Sequence, residues 1–323
     1  MITSHKIKDA ITGLVIGDAV GVPYEFLSRE TLKTRPAKDM VGNGSHNQLM
    51  GTWSDDSSLT LCLLDALCEG YSLQTIAEKF ISWKYNNKWT ARGRVFDIGM
   101  TTEYSIVRLK KILHNGIVGE LENLKYSGNE HDNGNGSLMR ILPLAFHIYK
   151  KPIEEQWEQT WKVSALTHPP FRAAMACLIY NKMLEKIIDG KSLQKSYKVM
   201  CEDITSFWQK ENFDEKEFKI FEKILSGNIG SLNEEAIHSG GYVMHTLESS
   251  LWVLLHTGSY KGAVLKAVNL GSDTDTTAAV VGGIAGLYYG KDDIPENWYR
   301  NTARIYDIEN LCESFFEKLN EAK

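Results

Sequence analysis

Gly271-Ser272-Asp273-Thr274-Asp275-Thr276-Thr277 runs straight into Ala278-Ala279-Val280-Val281-Gly282-Gly283-Ile284-Ala285-Gly286-Leu287, a stretch almost devoid of polar side chains that closes at Gly290. The pattern predicts a buried helix whose acids are gathered in its first turn. Far upstream, Trp53-Ser54-Asp55-Asp56-Ser57 precedes Leu59, Leu61, Cys62, Leu63, Leu64, Ala66 and Leu67, and that run stops at Gly70, where a C-terminal glycine belongs. A helix N-terminus offers partial positive charge and free N–H donors, which keep crowded carboxylates ionised and oriented. Capping alone needs one Ser or Asp. Two adjacent acids and an Asp-x-Asp-Thr exceed that need. If the fold joins the two helix starts, the oxygens of Ser54, Asp55, Asp56, Asp273, Asp275 and Thr276 converge with no Cys or His among them. That is the ligand chemistry of a pair of hard divalent cations, two Mg²⁺ or Mn²⁺.

The remaining periodicity is also helical. Gly13, Gly17 and Gly21 recur at four-residue steps on one face of the first apolar segment, and Gly282, Gly283 and Gly286 give the last buried one a comparable smooth surface. Close helix packing is expected. Further helices are expected over 72–88, 101–114, 153–166, 170–188, 193–209, 214–225, 244–256, 260–269 and 308–321, and no segment shows the alternation of a strand bounded by hairpin turns. With no internal repeat and no linker rich in Pro, Gly or Ser, one compact all-α domain over residues 1–323 is the simplest solution. The Lys- and Glu-rich segment 183–236 reads as a solvated face.

Composition narrows the class. A formal charge of -5 argues against nucleic acid as a partner. Cys62, Cys68, Cys177, Cys201 and Cys312 are odd in number and widely spaced, which fits reduced core residues rather than a disulfide framework or zinc site. The N-terminus, Met1-Ile2-Thr3-Ser4-His5-Lys6, opens no long apolar stretch, so neither secretion nor membrane insertion is indicated, and a cytoplasmic enzyme is expected.

Several loops carry candidate chemistry. His131-Asp132-Asn133-Gly134-Asn135-Gly136-Ser137 can present backbone N–H groups to a phosphate, or be a plain polar turn. Tyr242 follows Gly240-Gly241 and can stack on an aromatic base. Glu25, after Pro23 at the end of the first helix, sits near a negative dipole end that gives a carboxylate no support, which invites a functional reason. Asp97 is either a site acid or the cap of a helix from residue 98 onward, and His168 is either a site residue or a hydrogen-bonded structural histidine.

Taken in order, Gly13-Leu14-Val15-Ile16-Gly17-Asp18-Ala19-Val20-Gly21-Val22-Pro23-Tyr24-Glu25-Phe26, Gly51-Thr52-Trp53-Ser54-Asp55-Asp56, Phe96-Asp97-Ile98-Gly99, Gly134-Asn135-Gly136-Ser137-Leu138-Met139-Arg140, Leu166-Thr167-His168-Pro169, Gly241-Tyr242-Val243 and the closing Gly271–Thr276 block resemble the ADP-ribosylglycohydrolase family over nearly the whole chain. The chain departs from that pattern at Ser54, where the family usually has Thr, and at Leu59, where it often has Met; a serine keeps the ligand oxygen. The resemblance implies an orthogonal all-α bundle around a central dinuclear metal site. It implies hydrolysis of the glycosidic bond between ADP-ribose and an acceptor on protein or in a small molecule. It places Glu25, Asp56, Asp97 and Asp273 in catalysis, with Asp97 facing a guanidinium in arginine-directed relatives. Asn133, Gly134, Asn135, Gly136, Ser137, Met139, His168 and Tyr242 would bind substrate, the loop holding diphosphate and ribose and the tyrosine the adenine. A metal-activated water and a nearby carboxylate, Glu25 or a ligating aspartate, would do the chemistry.

Three alternatives bear on this. Asp273-Thr274-Asp275-Thr276 superficially resembles the motif of haloacid-dehalogenase-like phosphatases, but that motif follows a hydrophobic strand, and Ala263-Val264-Leu265-Lys266-Ala267-Val268 reads as a helix. A non-catalytic ADP-ribose-binding or toxin-neutralising protein could keep the fold, yet all six expected ligands are present. Serine-linked or free ADP-ribose derivatives would suit the same machinery.

Overall fold

A computed structural model describes residues 1–321. Among them the α-helices are α1 (Ser4–Gly21), α2 (Arg29–Thr34), α3 (Asp55–Glu69), α4 (Leu73–Asn86), α5 (Met100–His114), α6 (Leu142–His147), α7 (Ile153–Ala165), α8 (Phe171–Ile188), α9 (Leu193–Glu211), α10 (Glu215–Leu225), α11 (Val243–Leu255), α12 (Tyr260–Val268), α13 (Thr274–Tyr289), α14 (Glu296–Asn301) and α15 (Ile305–Glu321). The described residues form no β-sheet; two isolated bridges, Asn43 with Gln48 and Gly134 with Tyr242, are the extended pairings. The all-α expectation therefore holds. The expected helices appear within a few residues of their limits, while the six-residue α2, α6 and α14 are too short to show a periodicity and were not anticipated.

The centre is α1 against α13, which lie side by side along their length. Their glycines make this possible. A Cβ on Gly13 would stand 2.4 Å from the carbonyl oxygen of Gly282, and one on Gly21 would stand 2.4 Å from the Cα of Asp275. Backbone against backbone at this range admits no side chain. Asp275 is thereby fixed against the C-terminal end of α1. Around this pair α3, α8, α11, α12 and α15 bury an almost uninterrupted apolar core. No described helix is long and apolar enough to cross a membrane. The five cysteines are free, and all but the half-buried Cys68 are buried.

The segment 183–236 is more than a solvated face. On α9 and α10 it buries Phe207, Trp208 and Phe221, which join Trp157, Phe171 and Phe213 in a network of edge-to-face and tilted rings. Lys and Glu alternate with these residues at helical spacing, so the charged composition hides an apolar stripe.

Candidate active site

The starts of α3 and α13 do meet. Ser54 is the N-cap of α3; its hydroxyl accepts from the Asp56 N–H at 3.3 Å and donates to Asp56 Oδ2 at 2.8 Å. Asp273 holds the N-cap position of α13 but makes no side-chain capping bond. Its Oδ2 instead accepts from Asn135 Nδ2 at 2.8 Å. Asp275 Oδ1 accepts from the Thr276 N–H at 2.9 Å. Ser54 already supplies the cap of α3, so Asp55 and Asp56 are not needed for it, and Asp273 caps nothing on α13.

Asp275 belongs to two groups of potential ligands whose atoms lie within 4.8 Å of one another: Asp18 with Asp56 and Asp275, and Glu25 with His46, Asp97 and Asp275. Asp55 adds a buried carboxylate close enough to repel Asp97, Asp18, Glu25 and Asp273. Burial first, and then neighbouring acids, pushes the carboxyls of Asp55, Asp56 and Asp275 well above the usual carboxylate range. Burial likewise raises Asp273, Glu25 and Asp97. So many buried acids demand protons or a cation. Asp56 Oδ1 is buried and finds no hydrogen-bond partner among the described residues. An orphaned carboxylate oxygen, aimed into a set of oxygen donors, fits a hard divalent cation.

Two residues here escaped the sequence reading. Asp18 is fully buried and accepts from the Ser54 N–H at 3.0 Å, the Ser57 N–H at 3.1 Å and the Ser57 hydroxyl at 2.5 Å. It anchors the first turn of α3 from α1; desolvation outweighs these bonds and raises its carboxyl to about 6. Its signal was legible, as a lone acid between Gly17 and Gly21 in an otherwise apolar run. His46, in the polar loop Gly44–His46, pairs with the Glu25 carboxylate, and that bond lifts its imidazole above its ordinary value. Nothing in the surrounding Asn, Gly and Ser residues announced it. His46 thus adds a nitrogen beside the carboxylates, outside the six oxygen ligands expected from the sequence.

Asp97 is not a cap: α5 begins at the N-cap Gly99. The glycine-rich loop lies next to the acids, because Asn135 bonds Asp273 and also Thr246 Oγ1 at 2.8 Å. Backbone bonds from Asn135 N–H to Gly241 C=O and from Val243 N–H to Asn133 C=O, both 3.0 Å, strap Gly134 against Tyr242. Ser137 Oγ accepts from Ser164 Oγ at 2.9 Å, and Met139 is buried. The His168 ring would sit 2.6 Å from a Cβ on Gly136, so it packs directly under the loop. Its Nδ1 lies 2.9 Å from Thr167 Oγ1, and burial drops its pKa to about 3, leaving it neutral. Tyr242 is half-buried; its hydroxyl accepts from Arg172 Nη1 at 3.0 Å. Arg172 is held in turn by Glu217 of α10, through bonds of 3.0 and 2.7 Å, and by Glu130 at 2.5 Å.

Fold and site together define an all-α protein in which buried acids from three helices gather beside a glycine loop. A family model described as ADP-ribosylglycohydrolase matches residues 2–323, and the chain belongs to that family, whose members cleave glycosidic bonds to ADP-ribose. Among its relatives, the ADP-ribosylarginine hydrolase Tri1 of Serratia proteamaculans is 31% identical over 318 residues, covering 96% of this chain and 79% of that protein. The ADP-ribosyl-[dinitrogen reductase] glycohydrolase of Rhodospirillum rubrum is 28% identical over 296 residues, covering 90% and 87%. A solved structure, an ADP-ribosylglycohydrolase-related protein complex, superposes with a TM-score of 0.78 at 25% identity and covers 98% of both chains.

Proposed function

We propose that this protein, acting as one domain, hydrolyses the N-glycosidic bond between ADP-ribose and an arginine side chain of a modified protein in the cytoplasm, with nucleic acid and membranes playing no part. The observation that carries the reading is the pairing of an acid cluster, whose Asp56 Oδ1 is orphaned, with Asp97 left uncommitted to α5. Two Mg²⁺ or Mn²⁺ ions would be held by Asp55, Asp56, Asp273 and Asp275, with the hydroxyls of Ser54 and Thr276 completing the set. Bound there, such a pair supplies positive charge that orients the ribose hydroxyls and lowers the pKa of a water.

The chain's own groups do the rest. Asn135 donates to Asp273 and fixes its carboxylate, and Asp18 fixes the first turn of α3. Glu25, steadied by His46, is placed to accept the proton of the attacking water, as is a neighbouring aspartate. Asp97 pairs with the acceptor's guanidinium in a geometry that a carboxylate and a planar cation share, and the guanidine released when the C–N bond breaks takes up the proton that was removed from the water. The loop Asn133–Ser137 cradles the diphosphate, and the Tyr242 ring takes the adenine. Similarity to the Serratia protein named for ADP-ribosylarginine favours this linkage over serine. The test is release of ADP-ribose from arginine-linked and serine-linked peptides side by side; release from the serine linkage alone would overturn the assignment.

A further inference from the structure

Phe26 is 73% exposed and sits at φ +66°, a left-handed conformation that a bulky aromatic residue takes only where its surroundings impose it. Two backbone hydrogen bonds impose it here. Phe26 N–H donates to the Ser272 carbonyl and Ser272 N–H donates to the Leu27 carbonyl, each at 2.7 Å, and Ser272 is itself at φ +67°. The aromatic residue is clasped to the loop that delivers Asp273. Burial of the ring does not compensate for the strain, because most of the ring faces solvent.

The ring lies 5.7 Å from the His46 imidazole, and His46 lies 5.4 Å from the ring of Phe96. Glu25 precedes Phe26 in the chain and Asp97 follows Phe96; both carboxylates belong with His46 to one group of atoms within 4.8 Å. Two phenyl rings and two acids therefore surround one planar nitrogen ring, and Phe26 is its solvent-exposed member.

We infer that Phe26, backed by the His46 ring, is the wall on which the acceptor's guanidinium stacks while Asp97 takes its N–H groups, making Phe26 a specificity-determining residue for planar cationic acceptors. The inference rests on the arginine-linked reading above. A guanidinium is attracted to a ring face within about 6 Å of its centroid, and it stacks flat where an ammonium does not. A serine acceptor offers no such cation.

The experiment compares wild type, Phe26→Leu, Phe26→Trp and Phe26→Gly, measuring KM for an arginine-linked ADP-ribosyl peptide with Mg²⁺ present and Kd for free ADP-ribose by calorimetry. Phe26→Leu and Phe26→Gly should raise KM by about threefold to thirtyfold. Phe26→Trp should stay within about twofold of wild type, since indole is the better partner. Kd for ADP-ribose, which carries no acceptor, should be unchanged throughout. Glycine accepts positive φ, so Phe26→Gly should melt no lower than wild type, which separates loss of binding from loss of fold. A wild-type KM in Phe26→Leu, or an equal loss of affinity for free ADP-ribose, overturns the inference. A wild type inactive on the arginine linkage contradicts the functional reading itself, whereas an active wild type indifferent to Phe26 contradicts only this step.

Discussion

Asp275 is where the two groups of acids meet, and Asp273 and Asp56 flank it with carboxyls that make no ordinary cap. Removing charge from such a cluster relieves repulsion while removing a ligand. Asp273→Asn and Asp56→Ala are therefore expected to abolish turnover, with circular dichroism unchanged and the metal-free melting temperature equal to or above wild type. Near wild-type rates in both variants would take these residues out of the site. Asp97 yields a differential expectation. Because it caps nothing, Asp97→Asn should leave the melt unchanged and lower hydrolysis of the arginine linkage far more than that of any serine linkage; equal loss on both would place its role elsewhere. At this scale the sequence showed the acids that crowd a helix start, because crowding beyond capping is visible in a string of letters. It did not show His46, whose role comes entirely from a loop folding back onto Glu25.

The elements explain why these side chains stay in place. A Cβ on Gly17 would stand 2.2 Å from the carbonyl oxygen of Ala278, so Gly17→Ala must part α1 from α13 immediately beside Asp18. The expected cost is about 1–3 kcal/mol or more, read as a lowered melting temperature together with weakened Mg²⁺ binding by calorimetry; a wild-type melt would mean that the two helices have slack. The four-residue glycine step foretold this packing from sequence. The role of α10 was not foretold, because its hydrophobic stripe was hidden among charges. Through Arg172, Glu217 on α10 steadies the Tyr242 hydroxyl, a link between residues far apart in sequence that no local pattern encodes. Glu217→Gln is expected to weaken ADP-ribose affinity severalfold without changing metal affinity, while Tyr242→Ala should cost severalfold to about tenfold, as a lost ring stack does. Unchanged ADP-ribose affinity in both variants would make Tyr242 part of the scaffold.

For the whole molecule, folding without a cation concentrates carboxyls that prefer to hold protons. Asp55, Asp56, Asp273 and Asp275 have pKa values raised above those of the unfolded chain, so between the unfolded and folded values the native state binds more protons than the unfolded state. Stability contributed by these groups is present at acidic pH and is lost as pH rises through their folded values. Because a cation must displace those protons, Mg²⁺ should raise the melting temperature more near pH 8 than near pH 5.5. A Mg²⁺-induced rise that is equal at the two pH values, or larger at the lower one, would contradict the electrostatic picture. The most direct measurement of the central claim is release of ADP-ribose from an arginine-linked peptide by protein stripped exhaustively with EDTA, before and after addition of Mg²⁺ or Mn²⁺. Turnover that is absent after stripping and restored by either ion is the predicted result; full turnover by verified metal-free protein would contradict it.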